Sequence, residues 1–122
     1  MKRLLFAALI IFTVACARRE TATEAKMATG GDPAKGKDAI ERYGCNACHI
    51  IPGIPGPKGM VGPSLDHVAS RAYIGGKFAN SPETLTKWLQ NPTAFDPQAA
   101  MPNIGVTRAD ARDIAAYLYT LK

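Results

Sequence analysis

The stretch Cys45-Asn46-Ala47-Cys48-His49 decides how the rest of the chain is read. Two cysteines separated by two residues and followed at once by histidine have the spacing of a c-type haem attachment site. Each thiol of such a site adds across one vinyl group of the macrocycle, giving two thioethers. Both must reach one rigid body, so they need to sit about one helical turn apart. The histidine then comes up under the iron as its proximal axial ligand. CxxCH also occurs in zinc sites and in redox dithiols, so the reading depends on whether the remaining residues supply what a haem needs.

The chain has 122 residues, which bounds it to one domain. Its first part reads as an address. Met1-Lys2-Arg3 is a charged start, and Leu4 to Ala15 is a run of twelve uncharged, almost wholly apolar residues. That run is too short to span a bilayer well and fits the h-region of a secretory signal peptide. It ends at Cys16, preceded by Thr13-Val14-Ala15, which resembles the lipobox of bacterial lipoproteins, where a peptidase cuts before a cysteine that carries lipid. That family prefers Leu where Thr13 stands. Ordinary signal-peptidase cleavage nearby and an uncleaved short anchor are the competing readings. The expected layout is a signal segment over 1–15 with Cys16 as lipidation candidate, a flexible tether over 16–31, and a folded domain over 32–122.

Three cysteines are present, two in CxxCH and one ending the apolar run. An odd free thiol would be awkward in a core folded in an oxidising compartment; assigning Cys16 to lipid, or to a removed peptide, disposes of it. The formal charge of +5 falls to +3 without Lys2 and Arg3. Lys35, Lys37, Lys58, Lys77, Lys87 and Lys122 are scattered, so no basic patch for nucleic acid is evident. A mildly basic surface fits steering toward an acidic redox partner.

Ala17 to Gly31 carries Arg18-Arg19, several Thr and Ala and no apolar periodicity, the basis for reading it as tether. Asp32-Pro33 is a helix start: Asp caps free N–H groups and Pro fits the first helical position. Ala34, Ala39, Ile40 and Tyr43 mark a short amphipathic helix, closed by Gly44. Gly36 inside it calls for a packing reason, since Gly costs about 1 kcal/mol against Ala in a helix; another helix crossing close to its backbone would supply one. Ile50 to Gly62 is Pro- and Gly-rich loop. It cannot form a core alone and is expected to wrap something rigid. Ser64 to Tyr73 fits a short helix or turn, broken by Gly75-Gly76. Ser81-Pro82-Glu83 starts a helix with Leu85, Trp88 and Leu89 on one stripe, stopped by Asn91-Pro92. Thr93 to Ile104 reads as loop. Thr107 begins the last helix, with Asp110 in a capping-box-like position and Ala111, Ile114, Ala115, Leu118 and Leu121 on its buried face. No strand pattern and no repeat are visible. Three or four helices in about 90 residues make a marginal core, and the two long loops imply function. A buried haem answers both points.

A proximal histidine leaves one axial position. The candidates are Met101, Met60, His67 and Met27. Met101 stands out: it precedes Pro102 in an irregular segment ahead of the last helix and lies far enough from His49 to close over the opposite face. Met60 is only eleven residues after His49, Met27 lies in the tether, and His67 follows the proximal-side segment Gly62-Pro63.

Residues 32–122 resemble a class I cytochrome c of the small bacterial kind. The matching residues run in order: Gly36, Cys45-Asn46-Ala47-Cys48-His49, Gly62-Pro63-Ser64-Leu65, Trp88-Leu89-Gln90-Asn91-Pro92, Met101-Pro102 and Asp113-Ile114-Ala115-Ala116-Tyr117-Leu118. The resemblance implies an all-α fold, three to four short helices and long loops wrapped around one covalently bound haem c. It implies thioethers at Cys45 and Cys48 and iron ligands at His49 and Met101. The Pro63 carbonyl would accept a hydrogen bond from the free ring nitrogen of His49, fixing the imidazole and raising its basicity. Leu65 and Leu89 would pack on the haem, and Gly36 would lie where the first and last domain helices cross, near Tyr117. Arg71, Tyr73 and Trp88 stand where the family often contacts the propionates or the methionine side; the plain readings are a surface charge for Arg71 and a core side chain for Trp88. Departures are His67, where the family often has Gly, Ile40, where an aromatic is usual, and the loop from Pro52 to Gly59.

The function implied is one-electron transfer, not enzymic turnover. The protein would shuttle between membrane respiratory complexes, a quinol-oxidising donor and a terminal oxidase or other reductase. It is expected to be exported, to the periplasmic side or the cell surface, lipid-anchored and monomeric. The main rival is an open-site haem protein acting as gas sensor or haem enzyme. A zinc module lacks a clear fourth ligand. A thiol oxidoreductase would sit in a fold with strands.

Overall fold

The computed structural model describes the backbone of residues 2–57 and 59–122 and the side chains of 14–57 and 59–122. It is helical, with five α-helices and one minimal hairpin among the described residues. Helix α1 spans Lys2–Thr29, α2 Pro33–Tyr43, α3 Pro82–Gln90, α4 Pro92–Phe95 and α5 Arg108–Leu118. Strands β1, Tyr73–Ile74, and β2, Phe78–Ala79, pair antiparallel.

The helix starts follow from local chemistry. The Asp32 carboxylate accepts from the Ala34 N–H, the Ser81 hydroxyl from Thr84 and the Thr107 hydroxyl from Asp110, each satisfying a donor that the first helical turn leaves open. Gly44 ends α2 in the left-handed region at φ 69°, a conformation that costs a glycine little.

Helices α2 and α5 form the main pair. Ala39, Ile40, Ala111, Ile114 and Ala115 are all buried to within 1% exposure at their contact, so small residues let the backbones close in. Gly36 lies at the point of closest approach: a Cβ there would stand 1.9 Å from the Asp113 carbonyl oxygen. This is the packing reason that the glycine called for. Polar contacts flank it. Asp113 Oδ1 accepts from the Asp32 N–H at 2.7 Å. Asp110 accepts from Arg42 at 2.7 Å and from the Tyr43 hydroxyl at 2.8 Å. Helix α3 packs on α5 from another side, with Leu85 and Leu89 buried.

Three features differ from the expectation. The segment 16–31, expected to be a flexible tether, is helical through Thr29, and its end packs on α5. Ala25 is 3% exposed, Thr21, Ala22 and Thr29 are partly covered, and Glu24 forms an ion pair with Lys122. No apolar stripe marks this stretch, because the residues it covers are alanine and threonine, whose small side chains allow close approach without one. The side chains of 1–13, and with them most of the expected signal segment, lie outside the described residues; among those described, no helix is long and apolar enough to cross a membrane. The hairpin is the second difference. Its strands are two residues each, too short to display alternation, and the Lys77 N–H bonds to the Ile74 carbonyl across Gly75 and Gly76, at φ 55° and 73°. The third is α4: Pro92 begins a one-turn helix, capped by Asn91, where loop was expected.

Gly36→Ala tests the crossing. In an open helix the change gains about 1 kcal/mol. Here it should destabilise by about 1–3 kcal/mol, the range of overpacking, seen as a lower denaturant midpoint. Asp110 gives a pH test. Hydrogen bonds from Tyr43 and then Thr107, with the Arg42 charge, hold its carboxyl below the ordinary carboxylate range. A group depressed on folding stabilises above its unfolded pKa, about 3.9, and loses that contribution as pH falls through the folded value. Asp110→Asn should therefore lower the Tm by a constant amount above about pH 5, and the difference should shrink as the pH drops below about 4.

Candidate functional site

Gly44 turns the chain out of α2 directly into a single 3₁₀ turn, Cys45–Ala47. The Cys48 and His49 N–H groups both reach the Cys45 carbonyl, at 3.2 and 3.0 Å. The two thiols and the imidazole are thereby grouped on one turn at the end of the helix that α5 clamps. Cys45 is half-buried, and burial pushes its thiol up. A redox dithiol needs the opposite, a nucleophilic cysteine with a lowered pKa.

The Pro- and Gly-rich loop is fastened to this turn. The Gly59 N–H bonds to the Asn46 carbonyl at 3.1 Å and the Gly62 N–H to the Cys48 carbonyl at 2.8 Å. The Asn46 side chain donates to the Pro55 carbonyl at 2.8 Å. Ile51 and Ile54 go into the core, so the loop contributes apolar side chains as well as wrapping. Tyr117 holds its start, donating to the Pro52 carbonyl at 2.6 Å.

His49 is oriented by the end of that loop. Its Nδ1 lies 2.7 Å from the Pro63 carbonyl oxygen. A carbonyl can only accept, so Nδ1 carries the proton, which in the neutral ring leaves the lone pair on Nε2. Gly62 lies against the ring: a Cβ there would stand 2.3 Å from Cε1. Sequence reasoning placed Gly62 in a motif without a role. The signal for one was its position immediately before the proline that orients the imidazole.

These groups line a cavity of about 630 Å³, within the 300–1,000 Å³ usual for cofactor sites. Cys45, Cys48, His49, Pro63 and Leu65 form one wall. Trp88 and Leu89 of α3, Arg71 ahead of the hairpin, Tyr73 of β1, and Met101 between α4 and α5 also line it. The structure thus brings together every expected site residue except Cys16, which is exposed on α1. The other axial candidates do not line it. Met60 is 84% exposed and Met27 75%. His67 turns away, its Nδ1 2.7 Å from the Lys122 carbonyl oxygen. Its φ of 50° accounts for the glycine that the family often has there.

Two roles are sharper than the sequence could make them. Arg71 uses Nη2 to donate to the Ser64 carbonyl at 2.6 Å and to the Asp66 carbonyl at 2.8 Å, tying the segment after Pro63 to the cavity wall. Trp88 packs tilted against Phe78 and edge-on to Phe95, with ring centroids 6.0 and 6.3 Å away. The hairpin residues Ile74, Gly75 and Gly76 also line the cavity. By residue type alone the two glycines mark only a break.

The donor set fits a haem c: two thiols one turn apart, an imidazole with a protonated Nδ1 and a free Nε2, and one thioether, around a largely apolar cavity. The family model described as Cytochrome c matches residues 33–122. A similar protein is cytochrome c-552 of Bradyrhizobium diazoefficiens, 30% identical over 107 residues, which cover 88% of this chain and 91% of the relative. With the site and these likenesses together, the chain belongs to the cytochrome c family, with the class I fold and one covalently bound haem c.

Proposed function

We propose that this chain is a one-electron carrier whose haem is bonded through Cys45 and Cys48 and ligated by His49 and Met101. At the coarser level the family already makes it a haem protein of the electron-transfer class. The observation that carries the finer reading is the sorting of candidate ligands. Among the described residues, Met101 is the one methionine that shares the cavity with His49, while Met27, Met60 and His67 are turned elsewhere.

When bound, the haem iron supplies the chemistry, alternating between its ferric and ferrous states. The chain's residues govern how readily it does so. Pro63 holds the His49 ring and makes it a stronger donor. Met101, a soft neutral ligand, favours the ferrous state, as in cytochromes c generally. The apolar walls from Leu65, Ile74 and Leu89 disfavour the additional charge of the ferric state. With His49 and Met101 both holding the iron, no position would be left open for substrate or gas, which is the physical difference between a carrier and a sensor or enzyme.

The apolar N-terminal run supports export, to the periplasmic side or the cell surface, and Cys16 is proposed as the lipid attachment point. Electron partners would be membrane respiratory complexes, a quinol-oxidising donor and a terminal oxidase or reductase. Mass spectrometry of the purified protein should give one haem, lost in Cys45→Ala/Cys48→Ala, and an acylated Cys16; a mature N-terminus elsewhere with Cys16 unmodified or absent removes the anchor.

The oxidised protein should show the weak far-red band of iron–methionine bonding. Met101→Ala should abolish it and open the ferrous form to carbon monoxide. High-spin iron and rapid carbon monoxide binding in the unaltered protein would replace the carrier with the open-site reading. Gly62→Ala should displace the His49 ring, lower the haem-loaded yield and reduce stability by about 1–3 kcal/mol.

A further inference from the structure

The eleven residues from Asp96 to Val106 carry Met101 and have no regular structure. Their hydrogen bonds are short-range. Gln98 N–H reaches Asp96 Oδ1 at 3.0 Å, Ala99 N–H the Asp96 carbonyl at 2.9 Å, and Gly105 N–H the Asn103 side chain at 3.0 Å. Among the described residues, none of the bonds made by residues 97–105 leaves the segment. Met101 packs on the core, but the polar contacts that tie the segment to the rest of the fold are at its ends. At the α5 end, Val106 is buried and the Thr107 N–H reaches the Tyr43 hydroxyl at 3.4 Å. At the α4 end, Asp96 Oδ2 accepts from Lys77 Nζ at 2.6 Å.

That second contact differs from the ion pairs between near neighbours in the chain. Glu83–Lys87 lies within α3, and Asp66–Arg71 spans five residues of one loop. Lys77–Asp96 joins two separate strips of cavity wall: the hairpin, through Ile74 to Gly76, and the methionine segment, through Asp96 and Gln98 to Met101. The neighbouring residues reinforce it, since Phe78 meets Phe95 edge-on at 5.2 Å between centroids. The Asp96 carboxylate is 17% exposed and bonded through both oxygens, to Lys77 and to the Gln98 N–H. Its partner reaches it from solvent, with Lys77 61% exposed.

We propose that the Lys77–Asp96 ion pair is a positioning clasp for the axial methionine. It fastens the Met101 segment to the hairpin and so sets how often Met101 leaves the iron. The inference rests on the ligation proposed above. Removing the clasp leaves the aromatic contact and the α5 end in place, so the segment stays folded but opens more often. Pairs with one exposed member are weak, so the open fraction should rise about two- to fivefold.

The test uses full-length, haem-loaded protein, with Lys77→Met, Asp96→Asn and the double variant. Carbon monoxide binding to the ferrous form reads the open fraction, and loss of the far-red band on warming reads the iron–methionine bond against global unfolding followed by circular dichroism. Each single variant should bind carbon monoxide about two- to fivefold faster and lose the band at a lower temperature, with little change in the global transition. The double variant should match a single one, because a shared interaction is lost only once. Glu83→Gln, which breaks an ion pair away from the segment, should change neither reading. Unchanged carbon monoxide rates, additive effects in the double variant, or a band that moves only with global unfolding would overturn the clasp. Met101→Ala separates the two ideas. If it leaves the band and the rate as they are, the ligation fails. If it abolishes the band while the clasp variants behave as wild type, the ligation stands and the clasp falls.

Discussion

The backbone contact between α2 and α5 at Gly36 is the constraint on which the site depends. Asp113 comes so close that no side chain fits between the helices. The consequences run outward along both. Helix α2 ends at Gly44 and passes straight into the turn carrying Cys45, Cys48 and His49. Helix α5 begins at Thr107, where the Met101 segment ends. Fixing the crossing therefore fixes one end of the thiol-bearing turn and one end of the Met101 segment. Asp110 reinforces it from α5 by holding Arg42 and Tyr43 of α2, and Tyr43 in turn meets the N–H of Thr107. A single cluster thus connects the thiol-bearing turn, the last helix and the methionine segment.

Around that frame the two long loops do different work. The segment from Ile50 to Pro63 is tied to the cysteine turn by main-chain bonds and ends on the His49 ring. Its backbone is committed at short intervals, which suits a rigid support for an imidazole. The segment from Asp96 to Val106 bonds mainly to itself. Such a segment lies at the low-stability end of a fold. With the ligation proposed above, His49 would be braced by a firmly held loop and Met101 carried on a loosely held one, so loss of ligation should begin on the methionine side.

Much of this was legible in the residues because it rests on local chemistry. Caps at Asp32, Ser81 and Thr107 announce themselves by residue type and position, as does the glycine that closes α2. The glycine inside α2 could be read as a demand for close packing, although its partner could not be named from propensity. What escaped the reading lacks a local signature. The hairpin has strands of two residues. The helical character of residues 16–29 is carried by alanine, threonine and charged residues, and the residues it covers are alanine and threonine. The Lys77–Asp96 pair joins positions that no periodicity relates. The cavity itself is a product of tertiary placement: residues from α2 to α5 line it, and the sequence named its chemistry-bearing members while missing most of the surface between them.

The helical arm changes what an anchor at Cys16 would do. A flexible coil lets a domain sample a wide volume and orientation, and its benefit is a higher effective concentration near partners in the same membrane. A helix from Cys16 to Ala25 instead holds a nearly fixed length of about 14 Å, at 1.5 Å per residue. Its end is packed on α5 and paired to Lys122, so the arm and the haem domain turn together. With lipid at Cys16, freedom would remain at the membrane end of the arm and not at the domain end. The domain would then pivot as one body about its attachment point, with the cavity at a nearly fixed distance from the anchor, whereas a coil of the same number of residues would leave both that distance and the domain's orientation free.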